Sequence, residues 1–354
     1  MTVEFRKNHC LSRVPLLFIF FALLSPGLTA GHASPFSAYY VFGDSLSDTG
    51  NNPAPAGSYY NGRYSNGPLW VEYLSPDLGI PYNPANNFAE SGSETSDLLS
   101  QISNVPASLA LRTALFSVLS GGNDFLDNAG MGTNDPGWNQ VITNVLTNIT
   151  VAVTTLYTNG AREIIVGNLP NLGQIPEAYD FPAAYREYVD SKVALFNATL
   201  QSDMTNAMLD NPGLRIYLLN LNALMTNVLN APAAYGFTVT NVGALEDPNL
   251  TDKSFNGPGA DYVFWDDIHP TTKLHALVGA AAYDCVGVEM NLAANGANFD
   301  LNVNHLYPGL PYTIESSTNL TAWTTNSAFT AGSTNSTLSV TNPSAAQTFY
   351  RVSY

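Results

Sequence analysis

Val41–Asn52 reads VFGDSLSDTGNN, and it follows directly on the apolar run that begins at Tyr39. Gly, Asp, Ser and Asn are the residues of turns, so a plain turn accounts for the composition. The position suggests something sharper: a buried strand, Tyr39–Phe42, with the hydroxyl of Ser45 presented beyond its end. A serine is a weak nucleophile until a base takes its proton. The sharper reading therefore holds only if the rest of the chain supplies a base, an acid and donors for an oxyanion.

Working outward from this strand, apolar runs recur at Leu115–Leu119, Glu163–Gly167 and Leu214–Leu219. They are apolar throughout rather than alternating, as strands buried on both faces of a parallel sheet are. Helical patterns fall between and after them, at Leu69–Leu74, Trp138–Thr158, Ala183–Leu209 and Thr271–Asn291. The βαβα order predicts a three-layer α/β/α sandwich with a parallel sheet. In such sheets, sites lie beyond the carboxyl ends of the strands. From residue 295 to the end the chain is rich in Thr, Ser and Asn and alternates, as in PYTIESS and FYRVSY. This predicts a small all-β module over 295–354 after an α/β domain over 34–294.

The chain has 354 residues, 45% hydrophobic and only 11% charged. Arg6, Lys7 and Arg13 precede the apolar stretch Val14–Leu24, and LTAGHA follows with small residues in A-x-A-like spacing. Residues 1–33 read as a secretory signal peptide cleaved near Ala30 or Ala33. Their removal leaves 9 basic against 27 acidic residues, a net charge of −18. That excludes nucleic acid and anionic membrane surfaces as partners and leaves neutral lipids, polysaccharides or small esters. The apolar run is too short for a stable membrane span. Only Cys285 survives cleavage, so no intramolecular disulfide forms, which suits a bacterial secreted or periplasmic protein.

Three further stretches stand out. NFAESGSET (Asn87–Thr95) places Gly92 in a turn before a helix. FSVLSGGNDFL (Phe116–Leu126) ends an apolar strand with Gly-Gly-Asn-Asp. FWDDIHPTTKLH (Phe264–His275) sets Asp266 three residues before His269 and follows it with Pro270, which favours an extended His269 and the N1 position of a helix. A histidine within reach of Ser45 can take its proton, and an acid on the other ring nitrogen fixes the tautomer. The backbone N–H groups of Ser45 and Gly92 and the Asn123 amide could hold the oxyanion. Asp267 is the alternative to Asp266, and His275 the alternative to His269. Tyr59, Tyr60, Tyr64 and Trp70 are either packing under a loop or the wall of an acyl or sugar pocket. The carboxylates are scattered and the glycines of SGGND lack a following Lys, so neither a metal nor a cofactor is expected.

These blocks resemble those of the GDSL, or SGNH, hydrolases. FGDSLSDTGN matches the first block with Ser45 as nucleophile, NFAESGS the second with Gly92, GGND the third with Asn123, and DDIHPT the last with Asp266 and His269. GRYSNG (Gly62–Gly67) and NLPNLG (Asn168–Gly173) resemble stretches of the plant-type and acyltransferase-like branch. The second block departs from the commoner Gly-Gly-Ala, reading Ser91-Gly92-Ser93, but keeps the donor glycine. The resemblance covers Ala38–Asn291. It implies a flavodoxin-like sandwich and a secreted serine ester hydrolase acting on a lipid or an acylated sugar, without cofactor.

Within that implication a carbohydrate acetyl esterase and a lipid acyltransferase are the alternatives. The lack of a long apolar lid points to short or medium acyl groups. A non-enzymatic alternative is a surface protein that contacts polysaccharide through the C-terminal module.

Overall fold

The computed structural model describes residues 36–105, 111–286, 289–295, 298–304, 306, 311–318, 322–333, 335–340 and 348–353. The signal peptide read over 1–33 lies outside them. The described residues fall into two compact units, one spanning Phe36–Val286 and one from residue 289 onward.

The first unit is built on β1 (Tyr39–Gly43), β2 (Leu115–Leu119), β3 (Glu163–Gly167) and β4 (Arg215–Leu219), which pair in that order, all parallel. Tyr39 stands opposite Leu115, Leu115 opposite Glu163, and Glu163 opposite Arg215. The four strands are thus in step, and the segments that follow them leave the sheet along one edge. Every residue of β1 and β2 is buried, as expected of strands covered on both faces. Asn87–Glu90 runs beside the free side of β1. Asn87 bridges Val41 in parallel, the Phe88 N–H donates to the Val41 carbonyl (2.8 Å), and the Glu90 N–H donates to the Gly43 carbonyl (3.1 Å). With this segment in the edge position, the order is that of doubly wound flavodoxin-like sheets.

Among the described residues seven α-helices accompany the sheet: α1 (Trp70–Asp77), α2 (Leu98–Ser103), α3 (Gly122–Leu126), α4 (Asp135–Thr158), α5 (Ala183–Asp210), α6 (Leu221–Asn230) and α7 (Thr272–Cys285). On one face Tyr39, Val41, Leu115, Leu119 and Ile165 form a cluster with Trp70 and Leu74 of α1 and Val278 and Ala282 of α7. Strand side chains alternate between faces, so Tyr40, Phe42, Phe116 and Val118 point to the other side, where the rings of Tyr40 and Phe116 stack at 5.2 Å. The buried residues of α4 (Trp138, Ile142, Val145, Ile149, Val153, Leu156) and of α5 (Val189, Val193, Phe196, Leu200, Met204) recur every three or four positions. Each helix therefore buries one stripe.

Two helix expectations need correction. The run Thr271–Asn291 is not one helix: α7 stops at Cys285, and Glu289–Asn295 is a strand. The apolar tail of the run cannot be told from a helix by periodicity alone, and the β-rich part begins before residue 295. Pro270 is not at N1 either; the helix opens at Thr272 with Thr271 as its N-cap, so the proline lies just outside.

In the second unit the strands are β5 (Glu289–Asn295), β6 (Asn298–Asn304), β7 (Pro311–Ser317), β8 (Thr324–Thr330), β9 (Asn335–Val340) and β10 (Phe349–Ser353). They form two antiparallel sheets, β5-β6-β9 and β10-β7-β8. Leu301 and Val303 of β6, and Tyr312 and Ile314 of β7, are buried at alternate positions, which is the half-buried pattern read from the sequence.

Candidate active site

Ser45 sits where β1 ends. Gly43 has φ +143°, and a Cβ there would lie 2.0 Å from the Leu119 carbonyl oxygen, so only glycine lets β1 approach β2 this closely at its tip. Gln101 closes the tip: its amide accepts from the Gly43 N–H (2.9 Å) and donates to the Gly43 carbonyl (2.8 Å). Beyond it the Leu46 N–H donates to the Asp44 carboxylate (3.0 Å), and the Asp48 N–H donates to the Asp44 carbonyl (3.0 Å). This tight turn turns the Ser45 side chain toward the loop that precedes α7.

That loop carries the base and the acid. The Trp265 N–H donates to the His269 carbonyl (2.7 Å) and the Thr271 N–H to the Val263 carbonyl (3.0 Å), folding Trp265–His269 back on itself. His269 Nε2 lies 2.8 Å from Ser45 Oγ. His269 Nδ1 lies 2.8 Å from Asp266 Oδ2 and 3.0 Å from Oδ1. The backbone N–H groups of Ile268 (2.9 Å) and His269 (2.6 Å) donate to Asp266 Oδ1, and the Tyr59 hydroxyl donates to Oδ2 (2.9 Å). Burial alone would raise the Asp266 carboxyl, but the hydrogen bond and charge of His269 and the two backbone donors outweigh it and hold it below the ordinary range. Asp267, the alternative acid, has burial and Asp266 pushing its carboxyl up, and its carbonyl accepts the Glu177 N–H (2.9 Å).

Asn123 stands at the start of α3, and its Nδ2 donates to the Ser93 carbonyl (2.8 Å). An amide nitrogen carries two hydrogens, so one remains. Ser45, Asn123 and His269 line one cleft. Gly92 does not line it. It lies in the turn Glu90–Ser93, closed by the Ser93 N–H on the Glu90 carbonyl (3.1 Å), with φ +85° at the third position, where a type II turn requires glycine. The turn is pinned on both sides. Asp48 accepts from the Ser91 N–H (2.8 Å) and hydroxyl (2.9 Å), and Ser93 is held by Asn123. Apart from its two chain neighbours, no atom of the described residues comes within 4 Å of the position a Gly92 Cβ would take.

The cleft is made from the segments that follow each of the four strands, as the carboxyl edge of such a sheet predicts. Asp44 and Leu46 follow β1, Ser120 and Asn123 follow β2, Leu169–Ile175 follow β3, and Leu221, Leu224 and Met225 follow β4. Counted out to its open mouth it encloses ≈ 850 Å³. Away from Ser45 its lining is apolar, with Leu126, Leu172, Leu224, Met225, Leu274 and Val278. NLPNLG forms part of the wall. Asn197 holds Leu169 at both backbone groups, and Asn222 donates to Asn171 (2.7 Å). Asp44 also faces the cleft; burial raises its carboxyl to about 6 against the opposing effects of the Leu46 N–H and His269.

The aromatic residues after β1 are not the cleft wall. Trp70 is fully buried and donates from its indole to Ser47 Oγ (3.1 Å). Tyr59 and Tyr64 instead meet Asp266 and His269, which sequence reasoning missed; the GRYSNG resemblance covers Tyr64 but not Tyr59. His275 is buried on α7. Among the described residues no three His, Cys, Asp or Glu side chains converge as a metal site.

Residues 39–282 match the family model for GDSL-like lipase/acylhydrolase. A GDSL esterase/lipase of Arabidopsis thaliana is 24% identical over 77% of this chain and 95% of its own length. A phosphatidylcholine-sterol acyltransferase of Aeromonas hydrophila is 26% identical over 70% of this chain and 89% of its own. The crystal structure of a lipase from a goat rumen metagenome covers 69% of this chain and 94% of its own, with 17% identity and a TM-score of 0.43. The matched span runs from the first residue of β1 to within α7 and includes every block around Ser45; the chain belongs to the GDSL-like lipase/acylhydrolase family, hydrolases of ester bonds.

Proposed function

We propose that the protein is a secreted serine ester hydrolase with Ser45 as nucleophile, His269 as general base and acid, and Asp266 as the group that orients it. The reading rests on one observation above all: an unbroken chain of contacts from Ser45 Oγ through the His269 ring to Asp266, each 2.8 Å long. His269 Nε2 takes the Ser45 proton as Oγ attacks the ester carbonyl. The Ser45 N–H and the spare Asn123 N–H hold the oxyanion, and the Gly92 N–H is the third donor of this reading, offered from the turn that Asn123 ties to the cleft through Ser93. Collapse breaks the ester C–O bond, and His269 returns the proton to the leaving alcohol. Water then attacks the acyl-enzyme, gives a proton to His269, and the acid departs as Ser45 recovers its proton.

The apolar lining beyond Ser45 favours esters whose acyl chain extends past acetyl, since apolar walls reward each added methylene. The Aeromonas relative, a phosphatidylcholine-sterol acyltransferase by name, is in keeping with a lipid ester. The apolar surface lies in the walls of the cleft, so no lid is needed to supply it. The test is a series of nitrophenyl esters from acetate to palmitate, with the full chain and a Ser45→Ala control. The expected result is an optimum above acetate and loss of turnover in the variant. An optimum at acetate would favour the acylated-sugar reading, and an active Ser45→Ala would remove the nucleophile assignment. Export is supported by the charged, apolar and small-residue order of residues 6–33. It is tested by N-terminal sequencing of the exported protein, with a start at Gly31 or Ser34 expected.

A further inference from the structure

The stretch GRYSNG and the tyrosine before it take no part in the reaction just described, yet they are bolted to the loop that carries its acid and base. Trp265 Nε1 donates to the Ser58 carbonyl (2.8 Å), Ser65 Oγ to the Pro270 carbonyl (3.0 Å), and the Thr272 N–H to Asn66 Oδ1 (2.8 Å). Asn66 Nδ2 donates in turn to the Phe255 carbonyl (2.9 Å). Ser65 and Asn66 are buried. Residues about two hundred positions apart in sequence are thus locked at three points, and the segment cannot shift without moving the His269 loop.

Two tyrosines use this anchorage. Tyr59 donates its hydroxyl to Asp266 Oδ2 (2.9 Å). Tyr64 lays its ring along the His269 imidazole, with centroids 4.7 Å apart and planes 30° from parallel. The two tyrosine rings pack on each other at 5.1 Å. Asp266 Oδ1 already accepts from two backbone N–H groups. On the other oxygen the Tyr59 hydroxyl donates beside His269 Nδ1, and these donors together fix the plane in which the carboxylate meets Nδ1. The Tyr64 ring stops the imidazole from tilting away from Ser45 and offers its π-face to the imidazolium. Neither tyrosine lines the cleft, so both act through other residues.

We infer that Tyr59 and Tyr64 are positioning residues of this hydrolase. Tyr59 extends the chain Ser45–His269–Asp266 by a fourth member, and Tyr64 braces the imidazole. The inference rests on the serine-hydrolase reading above.

The test compares kcat, KM and the pH profile of kcat/KM on a nitrophenyl ester for the wild type, Tyr59→Phe, Tyr64→Leu, Tyr64→Phe and Ser45→Ala. Removing the Tyr59 hydroxyl takes one donor from Asp266, which then holds the protonated His269 more strongly. The acid limb should move up by roughly half a pH unit and kcat fall roughly tenfold, with KM within about twofold. Other groups also face the pair: Asp267 and Glu246 beside Asp266, and Asp44, Glu177 and His275 beside His269. They are the same in both proteins, so the difference between the two profiles reports Tyr59. Tyr64→Leu should lose roughly tenfold in kcat, and Tyr64→Phe, which keeps the ring, should recover most of it. If Ser45→Ala is inactive while Tyr59→Phe leaves kcat and the acid limb unchanged, or changes KM alone, the positioning role is overturned. If Ser45→Ala keeps full activity, the underlying reading fails and the positioning role with it.

Discussion

Two histidines stand six residues apart and meet opposite surroundings. His269, in the loop before α7, has a partner on each ring nitrogen and a tyrosine along its face. His275, in the first turns of α7, is 1% exposed, and among the described residues neither of its ring nitrogens has a hydrogen-bond partner. Burial pushes His275 down to about 3, with a smaller push from His269, so it is neutral in the fold and unable to exchange protons with a substrate. The contrast shows that proximity to the nucleophile does not make a base. A base needs an open side for the proton it takes and an anion behind the other nitrogen.

The contrast breaks most sharply by substitution of each histidine in turn. His269→Ala should lower kcat on a nitrophenyl ester by roughly 10⁴–10⁶, while His275→Leu keeps it within about twofold. A deep loss in both would put His275 in the machinery. The two neighbouring acids sharpen the same point. Asp266→Asn should cost roughly 10³–10⁴ in kcat through the wrong tautomer of His269; Asp267→Asn, on an acid that touches neither ring nitrogen, should leave it nearly unchanged. Equal losses would mean that the loop rearranges in solution. At the far end of the cleft, Leu224→Trp fills the apolar wall. It should reduce kcat/KM for long-chain esters by roughly ten- to a hundredfold while sparing acetate. A uniform loss across chain lengths would place the acyl group elsewhere.

Much of this was legible in the sequence because the signals were local. The strands are apolar runs without alternation, and the structure returns them with at most one residue of difference, as at Arg215. Asp266 and His269 were readable because one tight loop supplies both. What escaped reading depends on contacts made only in three dimensions. Asn87–Glu90 lies beside β1 through backbone bonds, which its side chains do not announce. α6, LNALMTNVLN, was hidden by asparagines scattered among its apolar residues. The cleft takes its walls from segments after all four strands, so its apolar depth has no signature in any one of them. Tyr59 reaches Asp266 across 207 positions, a distance over which spacing carries no information.

The smallest effect is the one most specific to the buried histidine. A base whose folded value is depressed is neutral in the fold but charged in the unfolded chain once the pH falls below 6.5, so acid favours unfolding. With His275 at about 3 in the fold, its burial costs no stability through titration above about pH 6.5, and the cost grows as the pH falls towards 3. Between pH 7 and pH 5 the loss amounts to about 2 kcal/mol. Asp44, raised to about 6 by burial, works the other way. It binds a proton in the fold before the unfolded chain does, and so returns about 1 kcal/mol over the same interval. His275→Leu removes the first effect and keeps the second. Every other titrating group is common to both proteins, so urea denaturation at the two pH values should show the variant's stability changing on acidification more favourably than the wild type's by about 2 kcal/mol. Since both ring nitrogens are already unpartnered, the leucine strands no hydrogen bond, and the variant should be at least as stable as the wild type at pH 7. Parallel pH dependence in the two proteins would mean that water or a local opening reaches His275, and the distinction between the two histidines would then be one of degree.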